Sequence, residues 1–312
     1  MNFNWLTDNK IIITGATGWV GRSFLDTLQR IIPSSSFNSQ VLAIGSKQGM
    51  LHSTAYPQEL EIEIPVFSLE QLPDLVAHKP ICLVHSAFLT KDRLSEYGYR
   101  EFVRINQSIT NIVCDAISRA SSARVVEISS GAALVSLDRK EDSLESAKTD
   151  PYGFLKLQEE SRVSVLAETQ VFRIFALSGR FIRNPNAFAL GDFLLNALMG
   201  NVITIQAKSP VVRGYVNASD VAKCALSWLF SGDAAFPPCA AINEIVSLHS
   251  LARRISCMYN LPPAKIPDLD GLPSSYSHSP LGFMAMCLNY AFLPIPLHEQ
   301  ILDTAVGIRR FI

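Results

Sequence analysis

A chain of 312 residues with 48% hydrophobic content is long enough to bury a substantial core, which excludes global disorder. The formal net charge is −1, and no long run of like charges gives a footprint for nucleic acid or an anionic membrane. A small-molecule substrate is expected, with neither of those as a partner.

Met1 to Lys10 carries Asp8 and no long apolar segment, so no targeting signal is legible and a cytoplasmic location is expected. A first strand over Lys10 to Thr14 runs into Gly15-Ala16-Thr17-Gly18-Trp19-Val20-Gly21 and then a helix over Trp19 to Arg30. This G-x-x-G-x-x-G turn between an apolar strand and an amphipathic helix has the form of a dinucleotide-binding loop. Gly15 permits the tight turn, Gly18 lets the backbone approach a pyrophosphate, and Gly21 lets the helix pack on the strand. Thr17, Trp19 and Val20 lie where unpaired N–H groups of the helix start would meet the anion.

Pro33 to Ser39 reads as a Ser-rich turn before a second strand over Gln40 to Ile44. Selectivity for NAD uses an acid at the end of this strand, to accept hydrogen bonds from the adenosine ribose. Here Ser46 can donate and Lys47 brings a positive charge, so the cofactor is expected to be NADP or NAD, with NADP favoured.

A third strand is expected at Glu61 to Ile64, followed by a helix over Leu69 to His78 that Ser68 and Gln71 open as a capping box. Strands at Ile81 to His85, Arg124 to Ser129 and Val171 to Phe175 alternate with long helices over Leu94 to Ala120 and Tyr152 to Glu168. Such alternation predicts an α/β fold, a Rossmann-type doubly wound parallel sheet covered on both faces, over residues 1–178. Prolines from Pro185 to Pro296 then break the rhythm, so residues 179–312 are expected to form a smaller carboxyl-terminal substrate-binding lobe, with some segments returning to the sheet. The apolar window Leu281 to Leu297 is interrupted by Asn289, Pro294 and Pro296, which suits a buried or interface helix better than a membrane span.

Pro151-Tyr152-Gly153-Phe154-Leu155-Lys156 places a tyrosine and a lysine about one turn apart on one helix face. A phenol titrates near ~10, too high for efficient proton transfer at neutral pH, and a neighbouring ammonium stabilises the phenolate. Lys156 can also hold ribose hydroxyls. Upstream, Ser130 ends the strand Val125-Val126-Glu127-Ile128-Ser129, at the sheet edge where open α/β folds bind ligands, and its hydroxyl would meet a substrate oxygen beside Tyr152. Ser130, Tyr152 and Lys156 are therefore the candidate catalytic set. The six cysteines contain no C-x-x-C and the six histidines no H-x-x-x-H, so no metal site and no disulfide frame are expected.

Together these residues resemble the extended short-chain dehydrogenase/reductase family, the NAD-dependent epimerase/dehydratase group that modifies nucleotide sugars. The ordered resemblance spans almost the whole chain. It includes Val84-His85-Ser86-Ala87 after the fourth strand, Asn106 in the long helix, Pro-Tyr-Gly-x-x-Lys, Arg173 to Gly179 with Phe175, and Arg213-Gly214-Tyr215-Val216-Asn217-Ala218-Ser219-Asp220. The resemblance implies that His85, Ser86 and Ala87 line the nicotinamide ribose and phosphate and that Asn106 lies beside the active-site lysine. It also implies that Phe175 borders the cofactor, that Arg213 faces a substrate phosphate, and that a homodimer forms through helices 94–120 and 152–168. Asp220 is expected to cap the helix that begins near Ser219.

Departures from the family pattern narrow the chemistry. The 4,6-dehydratases follow the catalytic hydroxyl with an Asp-Glu pair, and here Gly131 and Ala132 stand there, so dehydration is disfavoured. The Asn of R-x-F-N is replaced in Arg173-Ile174-Phe175-Ala176, and Ile64-Pro65-Val66-Phe67 lacks the usual acid near the third strand. The leading expectation is an NAD(P)-dependent reductase or epimerase of a nucleotide-linked sugar. The alternatives are an NADPH-dependent carbonyl reductase of a non-nucleotide metabolite and a non-catalytic dinucleotide-sensing protein.

Overall fold

Ile11, Ile12 and Ile13 are fully buried in succession, as a strand covered on both faces requires. They form β1 (Lys10–Thr14), near the centre of an eight-stranded sheet in a computed structural model that describes residues 10–52, 63–138 and 150–312. The readings made on Met1 to Asn9, and on Glu61 and Ile62 of the third strand, lie outside the described residues.

Along the chain, β1 is followed by α1 (Trp19–Gln29), α2 (Ser34–Gln40), β2 (Val41–Gly45), β3 (Gly49–His52), β4 (Glu63–Ser68), α3 (Leu72–Val76) and β5 (Pro80–His85). Next come α4 (Leu94–Arg119), β6 (Ser122–Ser130), α5 (Gly131–Asp138), α6 (Pro151–Leu166), β7 (Glu168–Ile174) and β8 (Ala176–Ser178). The carboxyl-terminal part holds α7 (Ala189–Leu198), β9 (Val211–Asn217), α8 (Ala218–Ser231), β10 (Cys239–Ala241) and β11 (Glu244–Ser247). It ends with α9 (Leu248–Met258), β12 (Ser274–Tyr276), α10 (Leu281–Asn289) and α11 (Leu297–Ile308).

The large sheet runs β10-β7-β6-β5-β1-β2-β4-β3. β1 is parallel to β2 and β5, β2 to β4, and β5 to β6. The chain therefore works outward from β1 through β2 and β4, then returns to the other side of β1 with β5. That reversal places the topological switch point at the carboxyl ends of β1 and β5, where open α/β sheets bind ligands. The expected Rossmann-type sheet is thus present.

Several local readings are corrected. Pro33 to Ser39 is not a turn: Ser34 to Gln40 forms α2, anchored by the fully buried Phe37. The strand β3, antiparallel to β4 at the sheet edge, had no sequence expectation. The helix expected over Leu69 to His78 opens with the Ser68 and Gln71 capping box, but its first turn is a 3₁₀ turn and α3 stops at Val76. A break at Gly98, with φ 72°, interrupts the first turns of α4.

Two compact units divide the chain: Met1–Arg173 with Ala222–Cys239, and Ile174–Val221 with Ala240–Ile312. Within the first, the Ala222–Cys239 segment is fastened by Arg124, which donates to Trp228 O at 3.1 Å, packs 4.0 Å over the Trp228 ring and pairs with Glu168 at 2.7 Å. Trp228 is the largest fully buried side chain there, so this return is built on a hydrophobic anchor.

The second unit is organised on β9, flanked by antiparallel β11 and by parallel β12 and β8. Asp220 does not cap α8. Ser219 N donates to the Asn217 side chain at 2.8 Å, while the Asp220 carboxylate accepts from Ile295 N at 2.8 Å. Among the described residues no helix is long and apolar enough to cross a membrane.

Candidate active site

The glycine loop is shaped by close approach. Gly15 has φ +68°, and a Cβ there would lie 2.8 Å from Ser86 and Ala87 backbone atoms. A Cβ on Gly21 would fall 2.2 Å from Gly15 O, so only glycine lets α1 start this close to the loop. Ala16 N donates to Ile44 O at 3.0 Å, and Ser86 Oγ donates to Thr14 O at 2.7 Å, tying the ends of β1, β2 and β5 together. α1 begins at Trp19 behind the N-cap Gly18, with no side-chain cap and no acid in its first turn. A cradle without side chains in front of an uncapped helix start suits a pyrophosphate. Thr17, Trp19 and Val20 are half-buried in that loop, and Ser46 and Lys47 are exposed just past β2.

Tyr152 and Lys156 owe their position to the start of α6. Asp150 is the N-cap and accepts from Gly153 N at 3.4 Å, and Pro151 fills the first helical position, where its missing N–H costs nothing. Tyr152 therefore enters in the first turn, with Lys156 one turn on. Ser130, the last residue of β6, is buried, accepts from Ala132 N at 3.2 Å and hydrogen-bonds Tyr152. The Tyr152 ring meets Phe88 edge-on at 5.7 Å. The three expected catalytic side chains thus gather at the carboxyl end of β6.

Burial pushes the Tyr152 phenol above its ordinary range, and Lys156 and Ser130 pull against that without reversing it. Lys156 acts in the expected direction, and burial outweighs it. The Lys156 ammonium is itself surrounded by acids. Its Nζ lies 2.7 Å from Glu159 Oε2 and 3.7 Å from Glu127 Oε1, donates to Ile128 O at 2.9 Å, and packs 4.0 Å from the Phe88 ring centre. Burial alone would lower the lysine, but Glu159, Glu127 and Tyr152 together hold it above its usual range.

The residues placed by resemblance divide. His85 is fully buried and faces inward: Nδ1 shares a hydrogen bond with the Thr14 hydroxyl at 2.7 Å and Nε2 meets Glu159 Oε1 at 2.9 Å. Its ring nitrogens are both spent, so it does not offer them to a ribose. Asn106 is also fully buried. Its amide accepts from Leu89 N at 2.7 Å and donates to Leu89 O at 3.2 Å, fixing the segment after β5 rather than contacting Lys156. Ser86 and Ala87 stay at the loop, half-buried, with their N–H groups on Thr14 Oγ1. In the second unit, Phe175 packs on Tyr276 with ring centres 4.9 Å apart, and Arg213 on β9 donates to Val212 O at 2.9 Å. Arg173 makes a buried fork on Glu160, at 2.6 to 3.2 Å, and joins β7 to α6.

Glu127 and Glu159 were not singled out by sequence. With His85 they bring their ligating atoms within 4.8 Å of one another, all buried. A motif search misses this cluster because its members come from β5, β6 and α6. The Lys156 ammonium already fills the place of a cation beside it. Cys82, Cys114, Cys224, Cys239 and Cys287 are buried and in no disulfide, and burial pushes Cys82 to about 12.

By sequence, no curated protein matches the chain. Solved structures do match its fold. The UDP-glucose 4-epimerase of Thermotoga maritima, solved with UDP-glucose, is 17% identical with a TM-score of 0.72, over 97% of this chain and 99% of that one. The UDP-glucose 4-epimerase of Thermus thermophilus, solved with NAD, is 18% identical with a TM-score of 0.70, over 97% and 100%. A dTDP-glucose 4,6-dehydratase from Streptomyces venezuelae, a double mutant solved with NAD, is 16% identical with a TM-score of 0.67, over 96% and 97%. At such identities the likeness establishes the fold. The sequence profile of the NAD dependent epimerase/dehydratase family matches residues 11–238, most of the chain, and this protein therefore belongs to that family.

Proposed function

We propose that the protein is an NAD(P)-dependent epimerase or reductase of a nucleotide-linked sugar, with Ser130, Tyr152 and Lys156 as its catalytic set. The observation that carries this reading is the Ser130–Tyr152 hydrogen bond at the carboxyl end of β6, one turn from the Lys156 ammonium. When bound, the nicotinamide supplies the hydride acceptor and donor. Ser130 aligns the sugar oxygen, and the Tyr152 hydroxyl gives a proton to it or takes one from it. Burial keeps Tyr152 protonated in the free chain, so it rests as a donor. Lys156 opposes that burial and lowers the cost of the phenolate when the proton moves the other way. Gly131 and Ala132 offer no acid or base beside Ser130, so elimination of water is not part of the reading.

Support for the substrate class comes from family membership and from relatives solved with UDP-glucose and with UDP-glucuronic acid. Incubation with UDP- and dTDP-linked hexoses and the oxidised dinucleotides, and with their 4-keto derivatives and the reduced dinucleotides, with products resolved by NMR, tests it. An epimer or a reduced sugar is expected. A protein that binds dinucleotide and converts none of them would sink the nucleotide-sugar reading.

The relatives were solved with NAD, yet the end of β2 here carries exposed Ser46 and Lys47 and no acid. We infer that NADP(H) is accepted and favoured over NAD(H). Wild type should bind NADPH more tightly than NADH, and Lys47→Glu should lose that preference selectively, with like charge facing the 2′-phosphate. Equal dissociation constants in wild type would refute it.

A homodimer through α4 and α6 belongs to the same reading, supported by Val165 of α6, which is 85% exposed with Leu166 beside it. Sedimentation at micromolar concentration should give a dimer; a monomer would contradict it.

A further inference from the structure

Glu127 is an anomaly that the proposed chemistry does not use. It sits mid-strand on β6, fully buried, and no hydrogen-bond donor among the described residues reaches either of its oxygens. Glu159, fully buried on α6, is by contrast surrounded: Lys156 Nζ on Oε2 at 2.7 Å, and His85 Nε2 and the Thr110 hydroxyl on Oε1 at 2.9 and 3.0 Å. Two buried carboxylates sharing one ammonium would leave an uncompensated negative charge out of water, at severe cost.

We propose that Glu127 and Glu159 are a proton-sharing pair behind Lys156, in which ionised Glu159 anchors the ammonium and neutral Glu127 gives its proton to Glu159, so that both act as positioning residues for Lys156. This rests on the reading of Lys156 as part of the catalytic set.

The charges then balance. Lys156 and Glu159 form one ion pair, and Glu127 is a neutral acid facing Glu159, the ligating atoms of the two and of His85 lying within 4.8 Å of one another. Among the described residues the titratable groups that act on the pair or feel it are Lys156 and Tyr152 from α6, His85 from β5, Cys114 from α4, whose thiol burial and the Glu159 charge both raise, and Glu160 of α6, whose carboxylate is held by Arg173. Burial, then the Glu159 charge, push Glu127 far above the ordinary carboxyl range. Burial acts the same way on Glu159, but Lys156 and His85 outweigh it and hold Glu159 below that range. The result is an ammonium whose charge is fixed by one anion, with a second carboxyl in reserve 3.7 Å away.

The pair makes opposite demands on the two glutamates. An amide at Glu127 mimics the neutral acid, so Glu127→Gln should leave the alkaline limb of the pH–turnover profile where it is. An amide at Glu159 removes the charge that raises both Lys156 and Tyr152, so Glu159→Gln should move that limb down by about one pH unit. Isotope-edited infrared difference spectra of the full-length protein at neutral pH provide a readout that needs no substrate. Wild type should show the carbonyl band of one protonated glutamic acid, absent in Glu127→Gln. The wild-type band and its loss in Glu127→Gln decide the point even if Glu159→Gln does not fold. No such band in wild type, an equal shift of the limb in both variants, or a stoichiometric metal ion in the purified protein would overturn the proposal. Because the band is read without turnover, failure of the sugar assay alone leaves this test intact.

Discussion

Tyr152→Phe should lower kcat by about 100- to 10,000-fold while leaving dinucleotide affinity within a few-fold, the range expected for removal of one positioned acid–base group. The substitution deletes a single oxygen. The phenyl ring keeps its edge-on contact with Phe88, and α6 keeps its Asp150 cap and Pro151 start. Ser130 loses its hydroxyl partner but remains fixed by Ala132 N. The defect should therefore appear in kcat, with KM and the melting temperature nearly unchanged. Turnover near the wild-type level would remove Tyr152 from the mechanism.

Lys156→Ala should damage three properties at once, and that breadth distinguishes it from the tyrosine variant. Turnover falls because the phenolate loses its cationic neighbour, and dinucleotide affinity falls because an ammonium that could hold ribose hydroxyls is gone. Stability falls as well. Removing one partner of a buried ion pair typically costs about 3–5 kcal/mol, because the remaining charge is left without compensation. Here the remaining charge is Glu159, fully buried and held ionised chiefly by Lys156 against its own burial. Chemical denaturation, a dinucleotide titration and a turnover assay on one preparation measure the three effects. If stability stays at the wild-type level, Lys156 does not carry the ion pair described above. If only turnover falls, it does not hold the dinucleotide.

Much of the fold was legible because its signals are local. Three consecutive isoleucines marked β1, a G-x-x-G-x-x-G turn marked the loop, and the segment from Pro151 to Lys156 marked the start of the helix that carries Tyr152 and Lys156. What escaped depends on contacts distant in sequence. A Ser-rich stretch has the composition of a turn, and only burial of Phe37 makes α2 a helix. Gly131 to Asp138 offers little amphipathic pattern, and β3 exists only through its pairing with β4. In the site, analogy placed His85 on the cofactor and Asn106 beside the active-site lysine, although their side chains are spent on Thr14, Glu159 and Leu89. Glu127 lies among apolar residues of a strand, where sequence gives no reason to pair it with a residue of α6.

The central claim is that a hydride moves between one sugar carbon and the dinucleotide while Tyr152 handles only the oxygen-bound proton. A nucleotide sugar carrying deuterium at the reacting carbon, turned over in ordinary water and analysed by mass spectrometry with its dinucleotide, tests this most directly. The label should stay on the sugar carbon of an epimerised product or pass to the dinucleotide, and none should reach solvent. Loss of the label to water at the rate of turnover would show that the carbon is deprotonated instead, and would contradict the mechanism.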